Sequence, residues 1–135
     1  MLTVTASAAQ AATKIHWYGQ SAFSIETPSG GVILIDPWLS VPTNPDKDSI
    51  SKLGRVDYIL ISHGHYDHVG DAVEIAKQTG AELITTADLA RNLVAVAGYP
   101  KDKVKTAYMG GTVALQVFLL IAGLILWKGA LWIRF

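Results

Sequence analysis

The sequence predicts a mixed α/β fold (α+β in arrangement): a β-meander followed by a β-α-β-α-β run, giving a sheet covered by helices. Three observations carry this. Residues 14–35 alternate apolar and polar side chains at strand period and end in the continuous apolar run Val32–Ile35. From Val69 onward the apolar spacing becomes helical, with breaks at Gly80 and Gly98. The 135 residues are 50% hydrophobic and only 16% charged, which is enough apolar material for one core.

Each element has its own signal. Ile15 and Trp17 alternate with Lys14, His16 and Tyr18, and Phe23 and Ile25 alternate with Ser24 and Glu26, giving two strands. Pro28-Ser29-Gly30-Gly31 is turn chemistry leading into the buried strand Val32–Ile35. Residues 38–52 hold Pro42, Asn44 and Pro45 and read as a long loop. Tyr58, Ile59, Leu60 and Ile61 form another buried strand. Val69, Ala72, Val73 and Ala76 share a helical face, which Gly80 ends, and residues 82–85 form a short strand. Thr86 N-caps a helix bearing Leu89, Leu93, Val96 and Ala97 on one face, and Gly98 and Pro100 end it. A last short strand covers residues 104–108. Trp17, Phe23 and Trp38 are expected in the core or in a pocket wall.

Composition excludes several classes. Lys+Arg and Asp+Glu are both 11, so the net charge is zero and no general attraction to nucleic acid is expected. With no Cys, a disulfide scaffold and a thiolate metal site are both ruled out. Any metal must be held by His, Asp or Glu.

The two ends depart from this grammar. Residues 1–13 carry no charge, and Ala9-Gln10-Ala11 has the small-x-small form of a signal-peptidase site. Leu2 and Val4 are the only large aliphatics there, so the segment reads as a flexible leader or the remnant of a signal peptide. Residues 14–112 form the domain. Residues 113–135 are almost continuously apolar, with Lys128 the only charge before Arg134. A bilayer core needs about 20 such residues in a helix. Residues 113–133 therefore predict a transmembrane helix, with Lys128 snorkelling and Trp127 and Trp132 at one interface. A buried core strand or helix is the competing reading. The helix implies membrane association, on the cell-envelope or periplasmic side if the leader is a signal remnant.

Three of the four His lie within six residues: His63-Gly64-His65-Tyr66-Asp67-His68. They follow a buried strand almost directly, where a rigid strand end can hold a site. Imidazole and carboxylate suit Zn²⁺, with Mn²⁺ or Fe²⁺ as alternatives. His63 and His65, two apart, can point the same way from extended chain, and Gly64 lets the backbone approach an ion. Asp67 and His68 can face a second ion.

The pattern His63-x-His65-x-Asp67-His68 after an apolar strand resembles the signature of the metallo-β-lactamase superfamily. The segments Trp17-Tyr18-Gly19-Gln20-Ser21-Ala22-Phe23, Ile35-Asp36-Pro37-Trp38 and Met109-Gly110-Gly111-Thr112 resemble its small, uncharacterised metal-dependent hydrolases. The resemblance covers residues 14–112 and implies the N-terminal half of an αββα sandwich, followed here by the apolar helix. It implies His63 and His65 on one ion and Asp67 and His68 on a second. It also implies hydrolysis of a small-molecule substrate of unknown class by a metal-activated hydroxide, which Asp67 would orient as the catalytic residue. Asp36 would lie near the metals, with bonding of loop backbone as its expected role. Gln20 stands where relatives often carry His and receives no metal role. His16 is expected to be a surface or packed residue, and Asp71 a first-turn helix charge.

No His follows His68 and no Asp or Glu follows Asp102, so the ligands that the second half of such a fold supplies are not expected here. The alternative reading is a truncated, catalytically incompetent membrane-tethered fragment that binds at most one ion. Its tail would then be a real anchor or the product of a broken frame.

Overall fold

The computed structural model describes residues 12–108, 110–121 and 124–134, with side chains through Leu115. Residues 1–11, which hold most of the expected leader, lie outside them.

The chain forms a six-stranded sheet in the order β1 (Lys14–Gly19), β2 (Ala22–Glu26), β3 (Val32–Ile35), β4 (Tyr58–Leu60), β5 (Glu82–Thr85), β6 (Val104–Thr106). The first three strands pair antiparallel, because their turns are short. From β3 onward the pairing is parallel, with Ile35 opposite Leu60 and Leu60 opposite Ile84. Parallel strands need a crossover. Residues 36–57 make the first, α1 (Tyr66–Val69) with α2 (Ala72–Thr79) the second, and α3 (Ala87–Ala97) the third.

Alternation along the strands divides the core between two faces. Leu34, Ile59 and Leu83 point to the helices and pack with Ile75, Ala76 and Leu93. Ile33, Tyr58, Leu60 and Ile84 point the other way and pack with Ala107 and Leu115. The apolar runs at β3 and β4 are continuous because both of their faces are covered.

The helix expected over residues 69–79 is divided. Gly70 has φ +41°, and a Cβ there would lie 2.6 Å from Trp38 Cα, so the chain turns where Trp38 packs against it. Asp71 is the N-cap position of α2 rather than a first-turn charge, and its carboxylate accepts from Ser40 N at 2.8 Å and Ser40 Oγ at 2.9 Å. It ties the long loop to the helix. On α3 Leu93 lies in the core and Leu89 and Ala97 pack against it, as expected, with Ala90 buried beside them, whereas Val96 is 86% exposed and falls outside the packed face. Thr86 is the N-cap by backbone without a side-chain bond. Trp17 was expected inside and is 62% exposed, because β1 is an edge strand with all of its first four residues exposed.

The C-terminal helix is the largest correction. β7 (Thr112–Ile121) and β8 (Leu124–Arg134) pair antiparallel as a hairpin. A continuous apolar run carries no period, so it cannot separate a helix from a strand. Its length excludes one strand but suits two joined by two residues, the commonest hairpin spacing. Val, Phe, Ile and Trp in the run favour strands. Among the described residues no helix is long and apolar enough to cross a membrane. The side chains of Trp127, Lys128 and Trp132, expected at a bilayer interface, lie outside those described.

Candidate metal centre

The clustered residues meet at the C-terminal ends of β3 and β4, the edge where open α/β sheets place their ligand sites. Parallel pairing sets this up. Asp36 N donates to Leu60 O at 2.9 Å, which puts the residue after β3 beside the segment leaving β4. That segment leaves β4 through Ser62 and bends at His63 and Gly64 rather than running extended, and His65 is the N-cap of α1, so Asp67 and His68 fall in its single turn.

The donor atoms form two pairs. His63 Nε2 and His65 Nδ1 face each other at 2.9 Å, with ring centroids 4.5 Å apart. Two nitrogens on one tetrahedral zinc, each about 2.0–2.1 Å from it, lie about 3.3 Å apart, so a small rotation of either ring admits an ion. His68 Nε2 lies 3.7 Å from Asp67 Oδ2, and the rings of His63 and His68 are 3.9 Å apart. Among the described residues no three His, Asp or Glu donors already converge on one point. The donor chemistry, neutral imidazole with carboxylate, fits a borderline divalent ion, two protein atoms at a time.

Behind the donors lies a network that sequence reading reached only in part. Asp36 is 4% exposed. Its Oδ1 accepts Ser62 N at 2.7 Å, the expected bond to loop backbone. Its Oδ2 accepts Ser62 Oγ at 2.7 Å and lies 2.8 Å from His68 Nδ1. This carboxylate leaves His68 Nε2 facing the Asp67 side, the arrangement in which an outer carboxylate orients a metal-ligating imidazole. Ser21, from the turn between β1 and β2, places its Oγ 3.2 Å from the same Nδ1. Ser21 appeared in the sequence only within a segment resembling the family, and Ser62 not at all: a serine is common, and the bonds from Ser62 to Asp36 and from Ser21 to His68 join residues 26 and 47 apart. Asp36 was visible as the acid ending an apolar strand.

Other expected residues separate from this group. His16 is exposed on β1 with its ring 4.5 Å from Tyr18. A Cβ at Gly64 would meet only Leu89 Cδ1, at 3.4 Å, so the surrounding protein has room for one. Trp38 is half-buried and meets the exposed ring of Tyr66 edge-on at 5.5 Å, forming a wall beside α1.

Comparisons with known proteins identify the family. A family profile of the metallo-beta-lactamase superfamily matches residues 16–122, extending the likeness past Thr112 and through β7. A UPF0173 metal-dependent hydrolase of Anaeromyxobacter dehalogenans is 56% identical over 109 residues, covering 78% of this chain and 39% of the relative. One from Thermodesulfovibrio yellowstonii is 48% identical over 108 residues, covering 77% and 40%. The chain thus spans about two-fifths of the length of these relatives. Among solved structures, Igni18, a metallo hydrolase from the archaeon Ignicoccus hospitalis, aligns with a TM-score of 0.65 at 32% identity, covering 75% of this chain and 42% of that one. With the profile spanning most of its residues and the HxHxDH segment seated at the strand ends, the chain belongs to the metallo-beta-lactamase superfamily.

Proposed function

We propose that this chain carries the metal-holding segment of a metal-dependent hydrolase, with Zn²⁺ as the favoured ion. His63 Nε2 and His65 Nδ1 would hold one ion, and His68 Nε2 with Asp67 a second. The relatives' printed name supports the metal-dependent class. When bound, such an ion polarises the substrate and lowers the pKa of a water toward about 7, which makes it a nucleophile. Asp67, its side chain a third exposed, would orient that water with the carboxylate oxygen that does not face His68. Asp36 holds the His68 ring in place. The aromatic wall of Trp38 and Tyr66 bounds the approach for a small-molecule substrate.

The observation that carries this reading is the facing of His63 Nε2 and His65 Nδ1 at 2.9 Å. Metal analysis of dialysed protein tests it. The wild type should retain divalent metal, and His63→Ala with His65→Ala should lose it. Equal metal in the two would overturn the assignment. Binding should weaken as pH falls, because protons compete for the same nitrogens.

The pairing of donors, two per ion, favours a second reading in which this chain alone binds metal weakly and turns over little. Assays with a phosphodiester and a lactone should then show almost no turnover. Robust turnover abolished by Asp67→Ala would reject that reading and support catalysis by the chain itself.

A further inference from the structure

We propose that Ser62 is a positioning residue that relays the orientation set by Asp36 to His63, so that one buried carboxylate fixes the ring tautomers of two histidines. The argument is a count of protons. An ionised carboxylate only accepts, and a serine hydroxyl has one proton to give. Ser62 Oγ lies 2.7 Å from Asp36 Oδ2 and donates there. Its oxygen then has only lone pairs to offer His63 Nδ1, 3.0 Å away. His63 must therefore carry its proton on Nδ1, which leaves the lone pair on Nε2, the atom facing His65 Nδ1.

His68 receives the same instruction directly. Its Nδ1 has Asp36 Oδ2 at 2.8 Å, closer than Ser62 Oγ or Ser21 Oγ, both at 3.2 Å. His68 Nδ1–H donates to the carboxylate, and the Nε2 lone pair is left toward Asp67. Both histidines thus present Nε2 outward from one anion.

Backbone conformation supports a built arrangement. Among the described residues, the two non-glycine residues with positive φ are Gln20 at +49° and Asp36 at +43°. Such conformations persist where surrounding structure holds them, and they gather at functional sites. Asp36 is itself the anchor, and Gln20 precedes Ser21, whose hydroxyl reaches His68. Asp36 N donates to Leu60 O, and the Asp36 carbonyl accepts from Trp38 N at 2.8 Å, which together fix the residue. Ser62 grips it twice, through N and Oγ.

The consequence for metal rests on the reading of His63 as a ligand, but the tautomer does not, so the test has two arms. Nitrogen-detected NMR of the histidine rings in chelator-treated full chain, at alkaline pH where imidazoles are neutral, should show His63 and His68 both protonated on Nδ1. In Ser62→Ala, His63 should move to the Nε2-protonated form while His68 stays, and Ser62→Thr should restore the wild-type pattern. A purely structural serine would move both rings or neither. Nε2-protonated His63 in the wild type, or no change in Ser62→Ala, overturns the proposal. Titration with Co²⁺, read by its visible absorption, forms the second arm. Ser62→Ala should weaken binding about 10–100-fold, with Ser62→Thr near wild type. Equal affinity of wild type and Ser62→Ala overturns the relay as a device for metal. No Co²⁺ binding by the wild type would overturn the ligand reading instead, leaving the tautomer arm to decide the relay.

Discussion

Gly70 shows how a single missing side chain sets the site. Its φ of +41° with ψ −123° is costly for other residues, by about 1–3 kcal/mol. A methyl group there would also overlap Trp38 Cα, Trp38 Cβ and Pro37 O, all within 2.8 Å, and such overpacking costs about 1–3 kcal/mol more. Asp71 N donates to Pro37 O at 2.8 Å, so the contact joins the end of α1 to the loop that begins at Asp36. Gly70→Ala should therefore lower stability by about 2–6 kcal/mol in chemical denaturation and also reduce metal retention. Gly64→Ala, six residues earlier, should fold as the wild type does. Of the residues at the candidate centre, the clustered histidines and Asp67 stood out in the sequence because their chemistry is rare and local. The bond from Asp36 to His68 did not, because it joins residues 32 apart through the parallel pairing of β3 and β4.

Among the elements, the strands were legible wherever burial imposed a pattern. The helical segment after His65 was legible as helix but not as two helices, because its division depends on Trp38, which reaches Gly70 only in the folded chain. Tyr99 was missed: it follows the end of α3 and looks like a loop residue, yet it is fully buried and donates to Ala81 O at 3.0 Å, joining α3 to the start of β5. Burial, aided by the charge of Glu82, pushes its hydroxyl above the ordinary value near 10. A raised value means that the protonated form is the one folding favours. Its contribution is thus complete below about pH 10 and is lost as pH rises through the folded value. Tyr99→Phe should leave Ala81 O unpaired and cost about 1–3 kcal/mol at neutral pH. It should also flatten the alkaline loss of stability, as followed by thermal melts across pH. An unchanged alkaline limb would reject this role.

At the scale of the molecule, the second sheet face is covered unevenly. β7 sets Val113 and Leu115 over Ile33, Tyr58 and Leu60, whereas Ile15 on β1 is 68% exposed beside Trp17. Register places Ile15 next to Ile25, and Trp17 next to Phe23, so the open part is an apolar stripe along one edge. Such stripes promote association. The chain should self-associate with rising concentration, and Ile15→Lys with Trp17→Lys should reduce this in light scattering without changing the far-ultraviolet spectrum. Equal association in both proteins would show that another surface is responsible. The apolar tail was the least legible part at this scale. Its pairing is a property of two segments together, and a uniformly apolar run does not say where one segment ends and the next begins.

The order of strands in the main sheet is the order of the sequence, without exception. Each strand from β2 to β6 therefore finds its template in the strand made just before it, and never has to wait for one still to come. On a ribosome such a sheet can grow in step with translation, each crossover closing against a surface already in place. No early strand need stand unpaired until the chain is finished, which shortens the interval in which its edge could pair with another nascent chain. The histidine segment emerges between the fourth and fifth strands, so its anchor at Asp36 has left the exit tunnel before the residues it orients.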